Sequence, residues 1–235
     1  MSAPASRKIL LLHGALYTRH EFAPLIGTLD ALGTPAHAID LPGHGVDAAT
    51  DPASFGIEAF ASHVLAWLDA HDIAQADIFG YSMGGYVGLW LAHQHPTRVR
   101  RVFTLATKLD WTPDGARAEV AKLDADTIAA KVPRFAQTLA ARHGDNGWRT
   151  LLQRTADMML ALGDHNLLAD AYAGIACPVR LAVGDRDVMV SLAETADAMR
   201  RLPDGEMLVL PRTPHPLEKV PLPRLAAEIR DWLGS

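Results

Sequence analysis

Gly80-Tyr81-Ser82-Met83-Gly84-Gly85 is the stretch of sequence that decides the fold. It contains the pattern G-x-S-x-G, and it joins a short apolar run, Ala76–Phe79, to a helical segment, Met83–His95. A serine on such a strand-to-helix turn is held in a cramped backbone conformation with its hydroxyl pushed outward. The pattern therefore predicts that Ser82 is a nucleophile. A glycine-rich turn with an incidental serine is the alternative, because the pattern alone also occurs by chance.

Strands and helices alternate along most of the chain. The predicted strands are Lys8–Leu12, Pro35–Asp40, Ala76–Phe79, Arg101–Thr107, Pro178–Gly184 and Glu206–Leu210. The predicted helices are His20–Leu32, Phe55–His71, Met83–His95, Ser191–Leu202 and Pro221–Leu233. This alternation predicts an α/β fold with a doubly wound, mostly parallel sheet of about six strands.

One long segment breaks this alternation. Residues 108–176 contain no convincing strand, but they carry apolar residues at helical spacing. The segment follows a strand and is much longer than an ordinary connection, so we expect a helical cap above the edge where such sheets bind ligands. An ordinary crossover is the alternative. The predicted organisation is a core α/β domain in two parts, residues 1–107 and 177–235, with the cap inserted at 108–176.

A serine nucleophile needs a base within hydrogen-bond reach, and the base needs an acid that orients it. Asp187 follows the penultimate predicted strand, and His215 follows the last one. The chain order Ser82, Asp187, His215 is that of an α/β-hydrolase catalytic triad. All three residues follow strands whose carboxyl ends meet at one edge of the sheet. Asp185 and Asp110 remain alternative candidates for the acid.

Acyl transfer also needs hydrogen-bond donors for the developing oxyanion. The backbone amide of Met83, directly after the nucleophile, is one candidate, and that of Ala15 in the first strand-to-helix loop is the other. The candidate substrate-binding residues are Leu16, Tyr81, Val132, Phe135, Met158 and Met159. Methionine adapts to irregular apolar shapes, so Met158 and Met159 favour an apolar acyl group. The alternative is that the cap residues pack only among themselves.

The composition excludes several kinds of partner. The chain has 235 residues and a formal charge of −5 without a basic cluster, which argues against nucleic acid. The longest apolar runs fall short of the roughly 18 residues that a membrane span needs. The N-terminus lacks the apolar core of a signal peptide, and the lone Cys177 precludes an internal disulfide, so we expect a cytoplasmic protein. Metal-binding motifs are lacking, so we expect neither a metal nor another cofactor.

The chain resembles the α/β-hydrolase fold superfamily. The motifs that carry the resemblance are His13-Gly14, Asp40-x-Pro42-Gly43-His44-Gly45, Gly80-x-Ser82-x-Gly84-Gly85, His95-Pro96-x-Arg98-Val99, Gly184-x-x-Asp187 and His215. The resemblance implies the fold and the triad, and it says little about the substrate. The chain departs from the family pattern in two places. Few residues precede the first strand, so we expect the leading hairpin to be absent, and Pro214 replaces the usual glycine before the histidine.

We therefore expect a serine hydrolase of the carboxylesterase type, acting on an apolar ester of a small molecule through an acyl-enzyme on Ser82. Fold alone does not determine function, so several alternatives stay open. Asp40-Leu41-Pro42-Gly43-His44-Gly45 together with Gly80-Tyr81-Ser82 is similar to the menaquinone-pathway lyases, and His95-Pro96-x-Arg98-Val99 resembles the pimeloyl-acyl-carrier methyl esterases. A carbon–carbon bond hydrolase is also possible, as is a low-turnover ligand receptor or signalling protein that retains the triad. The sequence leaves the oligomeric state open.

Overall fold

The structure is a computed structural model that describes residues 9–46, 55–145 and 147–234. The strands are β1 (Ile9–Leu12), β2 (Ala36–Ile39), β3 (Ala76–Tyr81), β4 (Val99–Leu105), β5 (Val179–Gly184) and β6 (Gly205–Leu210). They form one six-stranded sheet in the order β2-β1-β3-β4-β5-β6, and every neighbouring pair is parallel. The predicted α/β fold with a parallel sheet is confirmed. The expected absence of a leading hairpin concerns residues 1–8, which lie outside the described residues.

Helices cover both faces of this sheet. In chain order they are α1 (Ala23–Ala31), α2 (Ile57–Ala70), α3 (Met83–Gln94), α4 (Pro113–Val120), α5 (Ala125–Lys131), α6 (Pro133–His143), α7 (Gly147–Asp164), α8 (Leu192–Arg201) and α9 (Leu222–Gly234). Helices α1 and α9 pack together in one apolar cluster, whereas α2, α3 and α8 contribute to the cluster on the opposite face. The sheet is therefore doubly wound.

Strand β1 shows why continuous apolar runs form the centre of this sheet. Leu10 and Leu12 belong to the cluster beneath α2 and α3, and Ile9 and Leu11 belong to the cluster beneath α1 and α9. Successive side chains of a strand point to opposite faces, so a strand covered on both faces needs an apolar residue at every position. The central strand β3 is likewise buried along its whole length.

Most predicted elements differ from the observed ones by a residue or two, and two of these differences have a local cause. The helix predicted at His20–Leu32 is a 3₁₀ turn, Arg19–Phe22, followed by α1. Proline lacks an N–H and is tolerated in the first turn of a helix, so Pro24 places the start of α1 at Ala23. The strand predicted at Arg101–Thr107 begins earlier, at Val99, and ends at Leu105 because Ala106 takes a left-handed conformation with φ 56°.

All the regular structure described between β4 and β5 is helical. Helices α4 to α7 lie there, followed by the 3₁₀ turn Tyr172–Gly174. Helices α4 and α7 pack against each other and add Ala116, Met159 and Leu162 to the cluster beneath α2 and α3. Helices α5, α6 and α7 enclose a smaller cluster with Leu16, which follows β1. The helices thus reach the carboxyl edge of the sheet, and the division of the chain into core and cap stays a prediction.

Candidate active site

Ser82 occupies a strained turn between β3 and α3. Its φ of 51° and ψ of −117° lie in a region that residues other than glycine rarely adopt, and such strain clusters at functional sites. Two hydrogen bonds to the end of β4 hold the turn. The amide of Ser82 donates to the carbonyl of Leu105 at 2.8 Å, and the hydroxyl of Thr107 donates to the carbonyl of Ser82 at 3.0 Å.

The glycines around Ser82 are required by close backbone contacts. A Cβ at Gly84 would collide with the carbonyl of Leu12, and a Cβ at Gly80 would collide with the backbone of Gly84 and Gly85. These collisions are with backbone atoms, which cannot turn aside as a flexible side chain can. Helix α3 can therefore begin close to β1 and β3 only because glycine occupies these positions.

His215 and Asp187 converge on Ser82 from the loops after β6 and β5. The Nδ1 of His215 lies 2.8 Å from Oδ2 of Asp187, and its Nε2 lies 3.4 Å from Oγ of Ser82. The other oxygen of Asp187 accepts hydrogen bonds from the amides of Met189 and Val190, at 2.8 and 2.9 Å. The structure thus brings together the three residues that the sequence singled out.

The alternative acids lie elsewhere. Asp185 accepts a hydrogen bond from the amide of Thr213 at 3.2 Å, so it supports the loop that leads to His215. Asp110 is exposed and lines a different cavity, beside Tyr172 and Asp197. Among the described residues, the carboxylate that pairs with His215 is that of Asp187.

The charge of Asp187 follows from its surroundings. Its side chain is fully buried, and burial alone would raise the pKa of the carboxyl. The hydrogen bond and charge of His215, together with the amides of Val190 and Met189, outweigh this and hold the pKa below its ordinary value. Asp187 is therefore an ionised acceptor for the Nδ1–H of His215 at neutral pH.

Tyr81 supports the histidine loop. Its hydroxyl donates to the carbonyl oxygen of His215 at 3.0 Å, and its ring packs edge-on against Tyr17. Tyr81 is buried and is not among the residues that line the cavity at Ser82. Contrary to the prediction, Tyr81 therefore does not line this cavity. As the last residue of β3, it points to the face beneath α1 and α9.

The two predicted oxyanion donors flank the nucleophile. Ala15 and Met83 both line the cavity that contains Ser82. A Cβ on Gly14 would lie 3.1 Å from Cβ of Ser82, so the loop after β1 passes directly against the nucleophile. Met83 is the first residue of α3, and its amide therefore has no intrahelical acceptor. The amide of Ala15 likewise meets no acceptor within the described ranges.

The cavity at Ser82 has a mainly apolar wall. Its apolar side chains are Ala15, Ile57, Met83, Trp111, Met158, Met159, Leu162 and Met189, and the rest of the wall is Ser82, Tyr86 and Lys108. Met158 and Met159, two of the predicted substrate-binding residues, are thus beside the nucleophile. Ile57, Met158 and Leu162 also line an adjoining outer cavity of about 490 Å³ between α2 and α7.

Three other predicted substrate-binding residues lie away from this cavity. Val132 and Phe135 are 50% and 39% exposed, and Leu16 is buried with Ile128 and Leu139 beneath the inserted helices. Val132 and Phe135 were selected as apolar residues at helical spacing within residues 108–176. Pro133 starts a new helix, α6, so the apolar face does not continue in phase across Val132.

Residues 8–168 match the α/β-hydrolase fold family. The chain belongs to this family. The pimeloyl-[acyl-carrier protein] methyl ester esterase of Neisseria meningitidis serogroup C is 40% identical over 119 residues, which are 48% of this chain and 44% of the relative. The chain thus matches less than half the length of that esterase.

A second relative aligns over almost the whole chain. The magnesium-chelatase 30 kDa subunit of Rhodobacter capsulatus is 31% identical over an alignment of 253 residues, covering 96% of this chain and 86% of the relative. Among solved structures, the enol-lactonase from Burkholderia xenovorans LB400 superposes with a TM-score of 0.78 at 20% identity, covering 99% of this chain and 93% of that one. At that identity the likeness concerns the fold alone.

In this α/β hydrolase, helix α6 is also joined to the loops around the site through residues that the sequence gave no reason to select. At the end of α6, the Nδ1 of His143 accepts from the amide of Gly45, and its Nε2 lies 3.0 Å from the carbonyl oxygen of Leu16. Arg142 pairs with Glu21 at 2.8 Å and with Glu218 at 3.2 Å. A single histidine outside any motif carries no signal, because its partners depend on how the insertion folds.

The part of this α/β hydrolase that the structure describes has neither a metal cluster nor a membrane-spanning helix. Within 9–46, 55–145 and 147–234, no three side chains of the metal-binding types are grouped as a metal site would require. Over the same ranges, no helix combines the length and hydropathy needed to cross a bilayer.

Proposed function

We propose that this protein is a serine hydrolase that cleaves carboxylic esters of small molecules through an acyl-enzyme on Ser82. One observation carries the proposal. Ser82 Oγ lies 3.4 Å from His215 Nε2, and His215 Nδ1 lies 2.8 Å from Asp187 Oδ2. The serine at the start of this chain of contacts has a strained backbone. A nucleophile, its base and an orienting acid are the groups that acyl transfer needs.

The arrangement defines a proton path. Asp187 accepts the Nδ1–H of His215, which leaves Nε2 unprotonated and facing the serine hydroxyl. As Oγ attacks the ester carbonyl carbon, Nε2 takes the serine proton. Nε2–H then protonates the departing alkoxide, and the alcohol leaves as the carbonyl of the acyl-enzyme re-forms. Water repeats the two steps, with His215 again as base, and releases the acid and free Ser82. These steps need no cofactor.

The negative charge that develops on the carbonyl oxygen needs donors, and we assign the amides of Ala15 and Met83. Both residues line the cavity at Ser82. Neither amide is committed to a partner among the described residues, so each is available to an oxyanion. Donors fixed by backbone cost little to orient at the moment of reaction, which makes this kind of stabilisation effective.

The acyl group is assigned to the methionine-lined part of the cavity. Met158 and Met159 lie on α7 and face the nucleophile together with Met83 and Met189. Flexible thioether side chains adapt to apolar groups of different shape. A carboxylic ester with an aliphatic acyl chain suits such a wall better than a highly polar substrate does.

Hydrolysis of p-nitrophenyl esters of increasing chain length tests the proposal, with wild type and Ser82→Ala compared. We expect the variant to lose at least about 10³-fold in kcat, because the substitution removes the nucleophilic hydroxyl. A fluorophosphonate probe is expected to label wild type on Ser82, as located by peptide mass spectrometry. Full activity in Ser82→Ala, or labelling at another residue, would show that the assignment is wrong.

A second candidate is a role as the partner of another protein, with little turnover. The relation to a magnesium-chelatase subunit over 96% of this chain favours it. The ester panel distinguishes the two, because a partner protein that retains the triad reacts with the probe but turns over slowly. Lyase and carbon–carbon bond hydrolase activities on the same scaffold would appear as Ser82-dependent reactions of non-ester substrates.

A further inference from the structure

We propose that Lys108 binds a carboxylate of the substrate, so that the ester cleaved at Ser82 carries a second, free carboxylate on its acyl chain. The inference rests on the proposed ester hydrolysis and adds the class of substrate to it. Lys108 is the charged side chain in the cavity wall at Ser82, which is otherwise apolar or uncharged within the described residues.

Lys108 is fixed to the same framework as the nucleophile. It directly follows Thr107, whose hydroxyl donates to the carbonyl of Ser82 at 3.0 Å. The indole N–H of Trp111 donates to the carbonyl of Lys108 at 3.2 Å, and the ammonium lies 5.6 Å from the centroid of the Trp111 ring. The base of the side chain is therefore held in place, and its ammonium lies beside the ring of Trp111, which also lines the cavity.

The ammonium of Lys108 has a counter-charge but no close acceptor. Oε2 of Glu194 lies 3.9 Å from Nζ, which is too long for a hydrogen bond. Within the described ranges, no acceptor is found at hydrogen-bond distance from this ammonium. The Lys108 side chain is only 14% exposed. A charged group on a largely buried side chain is favoured by a charge-assisted hydrogen bond, and an incoming carboxylate would supply one.

Glu194 is committed to other donors. Its Oε1 accepts from the amide of Leu109 at 3.1 Å, and its Oε2 accepts from the amide and hydroxyl of Ser191, at 3.1 and 3.2 Å. These bonds form the capping box that begins α8. Glu194 therefore stays where it is, and the donors of Lys108 remain available to a ligand.

The expected ligand group is a carboxylate. A lysine ammonium acts as a single compact charge, whereas a phosphate is normally held by several donors. Most of the remaining wall consists of methionine, isoleucine, leucine and tryptophan side chains, which suit the methylene chain between the two ends of the substrate. The geometry points to half-esters of aliphatic dicarboxylic acids.

Matched pairs of methyl esters test this inference. Monomethyl esters of dicarboxylic acids are compared with methyl esters of monocarboxylic acids of the same chain length, by release of methanol at pH 7.5. The variants are Lys108→Met, which removes the charge, and Lys108→Arg, which keeps it. Lys122→Met is the matched control, because Lys122 is an exposed lysine of the same insertion.

We expect wild type to prefer the half-ester of at least one pair. Lys108→Met should lose about 10- to 100-fold in kcat/KM on that half-ester, chiefly through KM, and should lose much less on the neutral ester of the same pair. Lys108→Arg should retain part of the preference, and Lys122→Met all of it. The same comparison can be made without turnover by measuring the Kd of the half-ester by calorimetry. The two proteins compared are Ser82→Ala and the double variant Ser82→Ala/Lys108→Met.

Equal loss on both members of a pair would overturn the inference and make Lys108 a structural partner of Glu194. Equal binding of the half-ester with and without Lys108→Met would do the same. Activity on neutral esters without any preference for half-esters would refute the carboxylate site and leave the ester hydrolase standing. Failure of the proposed function itself would appear differently, as no Ser82-dependent turnover of any ester and no probe labelling of Ser82.

Discussion

The Nε2 of His143 lies 3.0 Å from the carbonyl oxygen of Leu16, and this contact joins helix α6 to the loop that carries Ala15. Because the Nδ1 of His143 accepts from the amide of Gly45, Nε2 is the nitrogen that carries the proton. The hydrogen bond from Gly45 requires a neutral ring, because Nδ1 must accept. Protonation of Nδ1 would place an N–H against the amide N–H of Gly45 and break this hydrogen bond.

Acid should therefore weaken the fold through its buried histidines. Burial lowers the pKa of His143, and it lowers that of His13 from 6.5 to about 4. A lowered folded-state pKa means that the unfolded chain binds more protons at mildly acidic pH. The contribution of these residues is complete above pH 6.5 and is lost as the pH falls through the folded-state values. Urea unfolding at pH 7.5, 6.0 and 5.0 should show a falling free energy of unfolding.

His143→Gln should make this fall shallower between pH 6.5 and 5.0, because glutamine can donate and accept without titrating. His20→Gln, at an exposed position, is the control and should follow wild type. An unchanged slope in His143→Gln would assign the acid sensitivity to other groups, with His13 the first to examine.

Asparagine substitutions distinguish Asp187 from the two alternative candidates for the acid. Asp187→Asn should lower kcat/KM on a p-nitrophenyl ester by about 10³-fold or more, since the amide favours the wrong tautomer of His215. Asp185→Asn and Asp110→Asn should be mild by comparison, because neither carboxylate pairs with His215. A loss in Asp110→Asn as large as that in Asp187→Asn would move the acid to the loop after β4.

Tyr81→Phe tests whether the histidine loop is positioned from β3. The variant keeps the ring and deletes the hydroxyl that donates to the carbonyl of His215, which costs about 1–3 kcal/mol for the unsatisfied group. We expect kcat to fall by about tenfold with little change in KM, and the rate of probe labelling at Ser82 to fall in parallel. A change confined to KM would instead indicate direct contact with the substrate.

The two methionines of α7 should behave differently. Met159 is buried and belongs to the core cluster, so Met159→Ala should cost about 2–5 kcal/mol of stability. Met158 is half-buried and lines both cavities, so Met158→Ala should chiefly shift ester chain-length preference, by about 1–3 kcal/mol per methylene. Leu160→Ala, at an exposed position of the same helix, is the control. An unchanged chain-length profile would place the acyl pocket elsewhere.

The sequence predicted what depends on local chemistry and on the order of strands. The turn at Ser82 needs glycines within a few residues, and the loops after β5 and β6 meet it because parallel strands end at one edge. Val132 and Phe135 lie away from the cavity at Ser82, and helical spacing alone could not show this because α5 ends at Lys131 and α6 begins at Pro133. The contacts of His143 and Lys108 could not be predicted, since they join segments that are far apart in the chain.

The bonds of Arg142 bear on how a substrate reaches Ser82. Its guanidinium contacts Glu21, Glu218 and the carbonyl of Leu16, and it lies 4.5 Å from the ring centroid of Tyr17. Lifting α6 would break all of these at once and would free the loop that holds Ala15. The outer cavity between α2 and α7 shares Ile57, Met158 and Leu162 with the wall at Ser82, so we expect a substrate to enter from that side while the donors at Ser82 stay assembled.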